Sequence, residues 1–323
     1  MRVIRGTEKA GERVVALGTF DGVHLGHQTL LKTAKAYAKA HGIPLRVYTF
    51  DRHPLEVIAP KFAPKILTTL PEKMSKMCRL GVDEVQLVTF DRNMADMEPE
   101  GFLSRLREVM DVRAVVAGWN YTFGRKAGGN AEMLCRDGKA YGYDVLIEEP
   151  VTREDGTAIS STLIREELQA GNMEEAESLM RGPYTISGTV VEGKHEGHLL
   201  GFPTANIAYS ERKVLPAYGV YTCLIETTEQ VYTGVVNIGV QPTLPSGKVT
   251  VEAHALEGKP ELYGRKVRIS VIERLRGEQK FDSVEALKEQ IEKDRERAIQ
   301  LFGIQNGVPS LRVPGCSPFS GRS

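Results

Sequence analysis

The segment of residues 18–27 combines glycines and histidines in a spacing that suits phosphate chemistry. It reads Gly-Thr-Phe-Asp-Gly-Val-His-Leu-Gly-His, after the apolar run Val14–Leu17 and before a helix-like stretch at residues 29–41. The start of a helix presents unpaired backbone N–H groups and partial positive charge, which together attract phosphate. His24 and His27 are three residues apart, so on a first helical turn they share one face. Two imidazoles beside phosphates can donate hydrogen bonds to charge that builds during phosphoryl or nucleotidyl transfer.

A structural role for these histidines is the alternative, because a single histidine at a helix start is more often a cap or a surface residue. Two on one face, between glycines and after a strand, favour the catalytic interpretation. Gly22 and Gly26 support it, since a residue without a side chain lets a ligand approach the backbone closely.

The tetrad His-x-Gly-His at residues 24–27 resembles the signature of the nucleotidyltransferase superfamily, which class I aminoacyl-tRNA synthetases share. The full segment 18–27 is narrower and resembles the opening of the prokaryotic bifunctional riboflavin kinase/FMN adenylyltransferase family. The resemblance implies a nucleotidyl-transfer site in which His24 and His27 are catalytic. It also implies that four other residues of the segment bind substrate: Gly18, Phe20, Asp21 and Gly26.

The bulk properties indicate an ordinary globular protein with room for two domains. The chain has 323 residues, 41% hydrophobic and 26% charged. Its 42 Lys and Arg balance 42 Asp and Glu, which argues against a nucleic-acid partner. We expect no membrane partner and no secretory signal, because apolar runs of the needed length are missing; the sequence allows an oligomer but does not predict one. The cysteines lie too far apart to indicate a zinc site or a disulfide framework and favour the cytoplasm: Cys78, Cys135, Cys223 and Cys316.

Strand and helix patterns alternate through the first half of the chain. Residues 69–81 have a capping box with an early proline, and residues 99–110 form another helical stretch. This alternation predicts an α/β domain with a parallel sheet and helices on both faces, in which ligands bind at the carboxyl ends of the strands. The strand-like runs are Val14–Leu17, Leu45–Phe50, Glu84–Phe90, Arg113–Gly118 and Asp144–Ile147.

The texture changes after two helices at residues 161–169 and 172–180. Arg181-Gly182-Pro183 breaks the pattern, so we place the domain boundary near residue 182. The short strands that follow predict a closed antiparallel β-barrel: Tyr184–Val191, Gly219–Glu226, Val231–Val236, Val249–Leu256 and Lys266–Glu273.

A single helix, at residues 283–302, is predicted to close the second domain. It has an apolar stripe that would pack on the barrel: Val284, Leu287, Ile291, Ala298 and Leu301. Residues 303–323 are rich in Gly, Pro and Ser and are predicted to be disordered. The predicted domains are therefore residues 1–182 and 183–302, followed by the tail.

Two further segments of the first domain follow strand-like runs and resemble family motifs. Residues 50–54 match Phe-x-x-His-Pro, whose side chains line the nucleotide site, although His53 is equally explained as a turn residue before a proline. Residues 118–124 resemble a flavin-contacting segment. Asn120 can hydrogen-bond an isoalloxazine edge, and Tyr121 or Phe123 can stack on its face, with one of the two rings expected in the core.

Residues 159–165 resemble the family element Ile-Ser-Ser-Thr-x-Ile-Arg, the counterpart of the synthetase Lys-Met-Ser-Lys-Ser loop. Hydroxyls and N–H groups at a helix start form an anion site, to which arginine adds a planar fork; capping by the serines is compatible with this role. The implied ligand contacts are Ser160, Ser161, Thr162 and Arg165. The similar-looking Lys73-Met74-Ser75-Lys76-Met77 lies inside a helical pattern, so we predict core methionines and solvated lysines.

Residues 201–206, Gly-Phe-Pro-Thr-Ala-Asn, resemble the riboflavin kinase signature. Thr204 and Asn206 supply the hard oxygen ligands that Mg²⁺ prefers beside substrate phosphates. A glycine-rich, basic stretch precedes them, and its glycines would let a loop fold over phosphates. The family usually has Arg where His198 stands, and a histidine binds phosphate only when protonated. The implied contacts in this stretch are Gly193, Lys194 and Gly197.

Residues 249–254 alternate as a strand does, which places Glu252 and His254 on one face. The family strand here carries a glutamate that acts as base toward the riboflavin hydroxyl, and Glu252 matches it. Residues 274–281 also resemble a family segment, so the barrel site is expected to include Arg274, Arg276 and Phe281. The order Arg181-Gly182 reverses the family's Gly-Arg, with local consequences expected.

The resemblance implies that the barrel phosphorylates riboflavin with ATP, and that the α/β domain joins FMN to AMP from a second ATP, giving FAD and pyrophosphate. ATP, riboflavin and FMN are the expected substrates and Mg²⁺ the expected cofactor; neither step needs a covalent enzyme intermediate. A synthetase-like nucleotidyltransferase is one alternative, but it predicts an RNA- or amino-acid-binding appendage. A non-catalytic flavin sensor is another, but it predicts loss of Thr204, Asn206 and Glu252, which are all present.

Overall fold

The structure is a computed structural model that describes residues 1–6, 9–192, 202, 204–240, 249–258, 260–305 and 308–309. Two compact units divide between Ser161 and Thr162. This division groups residues 162–182 with the second unit, and the boundary near residue 182 remains a prediction. Among the described residues, every helix is too short or too polar to cross a membrane.

The first unit is built on a six-stranded sheet in which every pair of neighbours is parallel, in the order β1-β4-β3-β2-β5-β6. The predicted α/β fold is therefore confirmed. The short edge strand β1 was not predicted, because of its three residues only Ile4 is buried. The strands are β1 (Arg2–Ile4), β2 (Ala10–Leu17), β3 (Leu45–Phe50), β4 (Glu84–Val88), β5 (Met110–Gly118) and β6 (Asp144–Glu148).

The helices of this unit follow the strands in turn. The predicted capping box is present, with the Thr69 N–H donating to Glu72 at 2.8 Å. The first helix begins at Leu25, before the predicted start, because the glycine-bearing motif itself forms its first turn. The helices are α1 (Leu25–His41), α2 (Leu55–Ile58), α3 (Leu70–Arg79), α4 (Arg92–Ala95), α5 (Pro99–Val109) and α6 (Ala131–Tyr141).

Successive residues of β2 face opposite layers of helices. Val14 and Ala16 pack with α1 and α3, whereas Val15 and Leu17 pack with α5 and α6. The chain thus winds from β2 toward β4 on one face and then crosses to β5, on the other side of β2. The strand order reverses between β2 and β5, and ligands bind at the carboxyl ends of strands at such a point.

The second unit contains a closed six-stranded barrel with antiparallel neighbours throughout, in the order β10-β11-β8-β7-β12-β9. This confirms the predicted barrel. Strand β8 was not predicted as a strand, since it lies inside a segment interpreted by its chemistry. The strands are β7 (Tyr184–Val191), β8 (Ala205–Tyr209), β9 (Gly219–Glu226), β10 (Val231–Val240), β11 (Val249–Ala255) and β12 (Lys266–Gly277).

Helices precede and follow the barrel: α7 (Ser161–Ala170), α8 (Met173–Met180) and α9 (Val284–Phe302). Helix α9 packs on the barrel as predicted, but through Ala298 and Phe302. The predicted apolar stripe is wrong at Val284 and Leu301, which are 53% and 40% exposed. The reason is Asp294, which is buried in an ion pair with Arg276 and so sets the face that α9 turns to the barrel.

Part of the segment predicted to be disordered forms a short pairing. Ile304–Gln305 (β13) pairs antiparallel with Val308–Pro309 (β14). Residues 306–307 and 310–323 lie outside the described residues.

Candidate active sites

The loop between β2 and α1 has a strained backbone. Phe20 and Val23 adopt left-handed conformations, with φ of 52° and 47°, which cost about 1–3 kcal/mol each and persist only where surrounding contacts enforce them. Gly22 has φ of 82°, and a Cβ there would approach Leu67 to 2.8 Å. Such strain is typical of functional loops, and this one ends at the start of a helix.

His24 and His27 lie together at that helix start. His24 is the N-cap residue of α1 and is buried. The two rings stack with centroids 3.7 Å apart. Gly26 leaves the space for this arrangement, because a Cβ there would come within 3.3 Å of the His24 ring. Both imidazoles therefore adjoin the start of α1, where the first N–H groups have no partner within the helix and a phosphate would bind.

The environment of His27 favours its neutral form. Burial lowers the pKa of His27 well below its ordinary value, and His24 and Lys73 lower it further. The ring also contacts Phe20, with centroids 5.2 Å apart, and Phe20 is fully buried. Phe20 thus supports His27 from the core side. A neutral imidazole donates from one ring nitrogen, which suits hydrogen bonding to phosphate oxygen.

Asp21 ties the loop to the segment that precedes α3. Its carboxylate accepts the backbone N–H groups of Leu67 and Thr68 at 3.0 Å. The Gly22 N–H donates to the Thr68 hydroxyl, also at 3.0 Å. Asp21 is buried, so its observed role is to hold the loop, and its predicted contact with substrate stays a prediction.

Two lysines of α3 also bind this loop. Lys73 donates from Nζ to the carbonyl of Thr19 at 2.8 Å and to that of Phe50 at 3.4 Å. Lys76 donates to the carbonyl of Gly22 at 3.0 Å. Lys73 is 8% exposed, so the prediction of solvated lysines is wrong. Because α3 lies against the loop between β2 and α1, its long lysine side chains extend from the helix to the carbonyl groups of that loop.

The serine motif reaches the same loop. The Ser161 hydroxyl donates to the carbonyl of Asp21 at 3.0 Å. Ser161 is the last residue of the first unit, so this bond lies within that unit. Thr162 and Arg165 lie on the first two turns of α7, and their predicted phosphate contacts, with that of Ser160, stay predictions.

His53 has a local structural role at the end of β3. Its Nδ1 accepts the N–H of Leu55 at 3.2 Å, and its own N–H donates to Glu56. These bonds stabilise the turn that leads into the short helix α2, as the turn interpretation expected. Its place at the nucleotide site stays a prediction.

The end of β5 presents one amide and one indole to solvent. Asn120 is exposed, and Trp119 beside it is 52% exposed. Phe123 is buried and packs against Phe102 at 5.1 Å between ring centroids. Of the two rings predicted for flavin stacking, Phe123 is thus the core ring. Tyr121 is partly buried, and burial raises the pKa of its phenol.

The barrel brings the predicted base and metal ligand into register. Glu252 on β11 is paired directly with Asn206 on β8 and, on its other side, with Asn237 on β10. Directly paired residues of an antiparallel sheet have their side chains on the same face, about 4.5–5.5 Å apart at Cβ. Val251 and Ala253 are buried, whereas Glu252 is partly exposed. The three polar residues therefore form a row on the outer face of the barrel wall.

One described aromatic residue of the signature hexad lies beside this row. The ring of Phe202 meets His254 edge-on, with centroids 5.9 Å apart, and His254 shares its face of β11 with Glu252. Thr204 directly precedes β8. The predicted contacts Gly193, Lys194 and Gly197, together with His198, lie outside the described residues.

The two arginines of β12 have different surroundings. Arg276 donates from Nε to Asp294 at 2.9 Å and lies 5.7 Å from the ring of Phe281. Arg274 donates to the carbonyl of Tyr218 at 2.9 Å and lies against Gly171, between α7 and α8. Of the three predicted residues, Arg276 and Phe281 therefore lie close together, whereas the described contacts of Arg274 are with Tyr218 and Gly171. Substrate contacts of all three stay predictions.

Sequence reasoning missed two polar residues of these sites. Lys73 was interpreted as a solvated residue of a helical pattern. The signal that could have found it is the capping box, which shows where α3 begins and therefore that Lys73 lies on its first turn. Asn237 reaches the row only through strand register. Register depends on pairing across the barrel, which a single sequence does not display.

The fold and these sites define a two-unit transferase, with a nucleotidyltransferase-type sheet followed by a barrel kinase. The family profile described as FAD synthetase matches residues 6–163, and the profile described as riboflavin kinase matches residues 180–302. The chain belongs to the bifunctional riboflavin kinase/FMN adenylyltransferase family, whose two activities together produce FAD.

Known proteins resemble the chain over nearly its whole length. The bifunctional riboflavin kinase/FMN adenylyltransferase of Bacillus subtilis (strain 168) is 36% identical over 301 residues, which cover 91% of this chain and 94% of that protein. Its namesake from Escherichia coli (strain K12) is 36% identical over 311 residues, covering 94% and 99%. A crystal structure described as a macrolide-efflux protein from Streptococcus pneumoniae matches with a TM-score of 0.82 at 32% identity, covering 92% of this chain and 99% of that one.

Proposed function

We propose that the first unit transfers AMP from ATP to FMN at the helix start that carries His24 and His27. The observation that supports this most strongly is the stacked pair of imidazoles at the start of α1, at the point where the strand order reverses. In this reaction a phosphate oxygen of FMN attacks the α-phosphorus of ATP, and the bond to the β-phosphate oxygen breaks to release pyrophosphate. The histidines donate hydrogen bonds to the charge that develops on the phosphate oxygens.

FMN is proposed to bind at the end of β5. Asn120 supplies both a donor and an acceptor for the polar edge of the isoalloxazine ring. Trp119 presents an exposed aromatic face beside it. The ends of β2 and β5 are adjacent in the sheet, so FMN on one and ATP on the other would meet at the reversal of strand order.

The second unit is proposed to phosphorylate riboflavin at the row of Asn206, Glu252 and Asn237. Glu252 accepts the proton of the riboflavin 5′-hydroxyl as that oxygen attacks the γ-phosphorus of ATP, and ADP leaves. Glu252 accepts a hydrogen bond from Thr250 at 3.2 Å, which orients the carboxylate. Positioning and electrostatic stabilisation are sufficient for such a transfer.

The donor set around Glu252 fits Mg²⁺. Thr204 and Asn206 offer neutral, hard oxygen atoms at one end of β8, and Mg²⁺ is usually held by few protein ligands together with substrate phosphates. Bound there, Mg²⁺ would neutralise charge on the transferred phosphate. Arg276 is held in place by its hydrogen bond to Asp294. It pairs with Val220 on β9, which in turn pairs with Asn237 on β10. We assign Arg276 to nucleotide binding.

The proposed substrates are small molecules, namely ATP, riboflavin and FMN, and the proposed compartment is the cytoplasm. Among the described residues Cys78, Cys135 and Cys223 are free thiols, as is usual in a reducing compartment.

The direct test is to incubate the protein with riboflavin, ATP and Mg²⁺ and to separate the flavins over time. FMN should appear first and FAD later, and FMN supplied alone with ATP should give FAD and pyrophosphate. Absence of FMN in the first reaction would contradict the kinase proposal, and absence of FAD in the second would contradict the adenylyltransferase proposal. Because Trp119 is the only tryptophan, quenching of its fluorescence by FMN reports binding at the end of β5 independently of turnover.

A further inference from the structure

Lys73 is a buried ammonium group with no role in the chemistry described above. It is 8% exposed and lies on the first turn of α3. Burying a charged lysine is costly unless it is paired and hydrogen-bonded. Burial lowers the pKa of Lys73, while the carboxylates of Asp21 and Asp51 raise it. These two carboxylates are the negative charges that favour its protonated form.

The partners of Lys73 connect the two strands that lead into the nucleotide site. The carbonyl of Thr19 follows β2 and belongs to the histidine loop, and the carbonyl of Phe50 ends β3. The ammonium group of Lys73 thus links the segments at the ends of two neighbouring strands, beyond the last paired residues of their parallel ladder. The Thr19 carbonyl immediately precedes Phe20, whose strained backbone places its ring under His27.

We propose that Lys73 is a positioning residue for adenylyl transfer, one that holds the histidine loop through the Thr19 and Phe50 carbonyls and provides a fixed positive charge beside His27. This inference rests on the proposed function of the first unit. Lys73 acts through the loop, since its donors already point at the two carbonyls. Its neighbour Lys76 binds the next carbonyl of the loop, that of Gly22, and supports the same arrangement.

A fixed cation beside His27 has a consequence that can be measured without turnover. Among the described residues, the titratable groups that act on His27 are His24 at the helix start and Lys73 from α3, and both lower the pKa of His27. Removing the charge of Lys73 should therefore raise the pKa of His27 toward its ordinary value. A side chain that only filled space would leave that pKa unchanged.

The test compares Lys73→Met, Lys73→Gln and Lys73→Arg with Lys32→Met, a control at an exposed lysine of α1. Lys73→Met should lower the turnover of FMN adenylylation by about 10²-fold, the scale of a small misplacement in an active site. Riboflavin phosphorylation and the control should match the wild type. The His27 pKa, followed by NMR of the imidazole, should rise in Lys73→Met and Lys73→Gln and stay low in Lys73→Arg.

Each outcome decides the matter. Wild-type adenylylation in Lys73→Gln, which keeps a donor without the charge, would overturn the proposal, as would an unchanged His27 pKa in both neutral variants. If Lys73→Met does not fold, the Gln and Arg variants carry the comparison. A wild-type protein that makes no FAD from FMN would instead refute the proposed function, so the two failures are distinguishable.

Discussion

The two candidate sites are assembled in different ways. In the first unit the proposed reactive groups stand at the start of a helix and on loops after parallel strands, and hydrogen bonds of Asp21, Lys73 and Ser161 hold this region. In the barrel the proposed groups stand on neighbouring strands, and backbone ladders position them. The loop site therefore depends on hydrogen bonds that hold its loop in place, whereas the ladder site depends mainly on the proposed reactive residues themselves.

The largest expected effect tests the ladder site. Glu252→Gln should lower FMN formation by roughly 10²–10⁴-fold, because it removes the proposed general base. FMN-to-FAD conversion should be unchanged, since Glu252 lies in the other unit. Measuring both half-reactions checks this, with Glu229→Gln as a control at an exposed glutamate of the barrel. A near-normal kinase rate in Glu252→Gln would remove the assignment.

The next effect tests the loop site in the same way. His27→Ala should lower FAD formation by roughly 10²–10³-fold, because it removes a donor directed at developing charge. The loss should appear in turnover more than in FMN affinity, since FMN is proposed to bind at Asn120. His41→Ala, at the exposed end of the same helix, should have no effect. If His27→Ala stops riboflavin phosphorylation and spares adenylylation, the assignment of the two reactions to the two units is wrong.

These two sites also differ in how far the sequence predicts them. The glycine and histidine motif is contiguous, so its place between a strand and a helix followed from residue order alone. The hydrogen bonds that hold this motif did not follow from residue order. Asp21 bonds to Leu67 and Lys73 bonds to Thr19 across long sequence separations. An apolar periodicity does not show that a helical lysine points into a site rather than to solvent.

The barrel shows the opposite limit. Alternation along residues 249–254 predicted that Glu252 and His254 share one face. Which residues of the neighbouring strands lie beside that face became known only from the strand register of the structure. Strand β8 was hidden because its residues were interpreted by their chemistry. Helix α9 shows the same principle in packing, since the buried ion pair of Asp294 with Arg276 overrode the apolar stripe.

A smaller effect sharpens the account of the ladder site. Asn206→Ala should raise the Mg²⁺ concentration needed for half-maximal FMN formation, by at least about tenfold, because ligand-shell changes alter metal affinity on that scale. The backbone pairing of β8 with β11 does not require the side chain, so the barrel should remain folded. Titration of the kinase rate with Mg²⁺ is the measurement, and Asn172→Ala, an amide outside the row, is the control. An unchanged titration would make Asn206 a structural residue.

The extent of the second unit can be tested with two fragments. Within this unit the Ala217 N–H donates to the Leu168 carbonyl of α7 at 2.8 Å, and Gly171 lies against Arg274. A fragment of residues 162–302 should therefore make FMN and unfold at a higher temperature than residues 183–302. Thermal unfolding of both, followed by kinase assay, checks this. Equal stability would favour the boundary near residue 182.

The smallest effect concerns one backbone conformation. Arg181 ends α8 in a left-handed conformation, with φ of 52°, at a place where the family has glycine. A left-handed residue with a side chain costs about 1–2 kcal/mol, and substitution by glycine removes this cost. Part of the stabilisation is lost because glycine makes the unfolded chain more flexible. Arg181→Gly should thus stabilise the second unit by about 0.5–1 kcal/mol.

The matched reverse change lies in the first unit. Gly42 ends α1 with φ of 65°, and a Cβ there would meet nothing within 4 Å. Gly42→Ala should therefore destabilise that unit through backbone strain alone, by about 1 kcal/mol. Denaturant unfolding of both variants measures the two changes. Because neither residue touches a proposed site, both half-reactions should keep their rates. If Arg181→Gly is neutral while Gly42→Ala is destabilising, contacts of the Arg181 side chain offset its strained backbone, and the exchange of Arg and Gly at this turn is compensated locally.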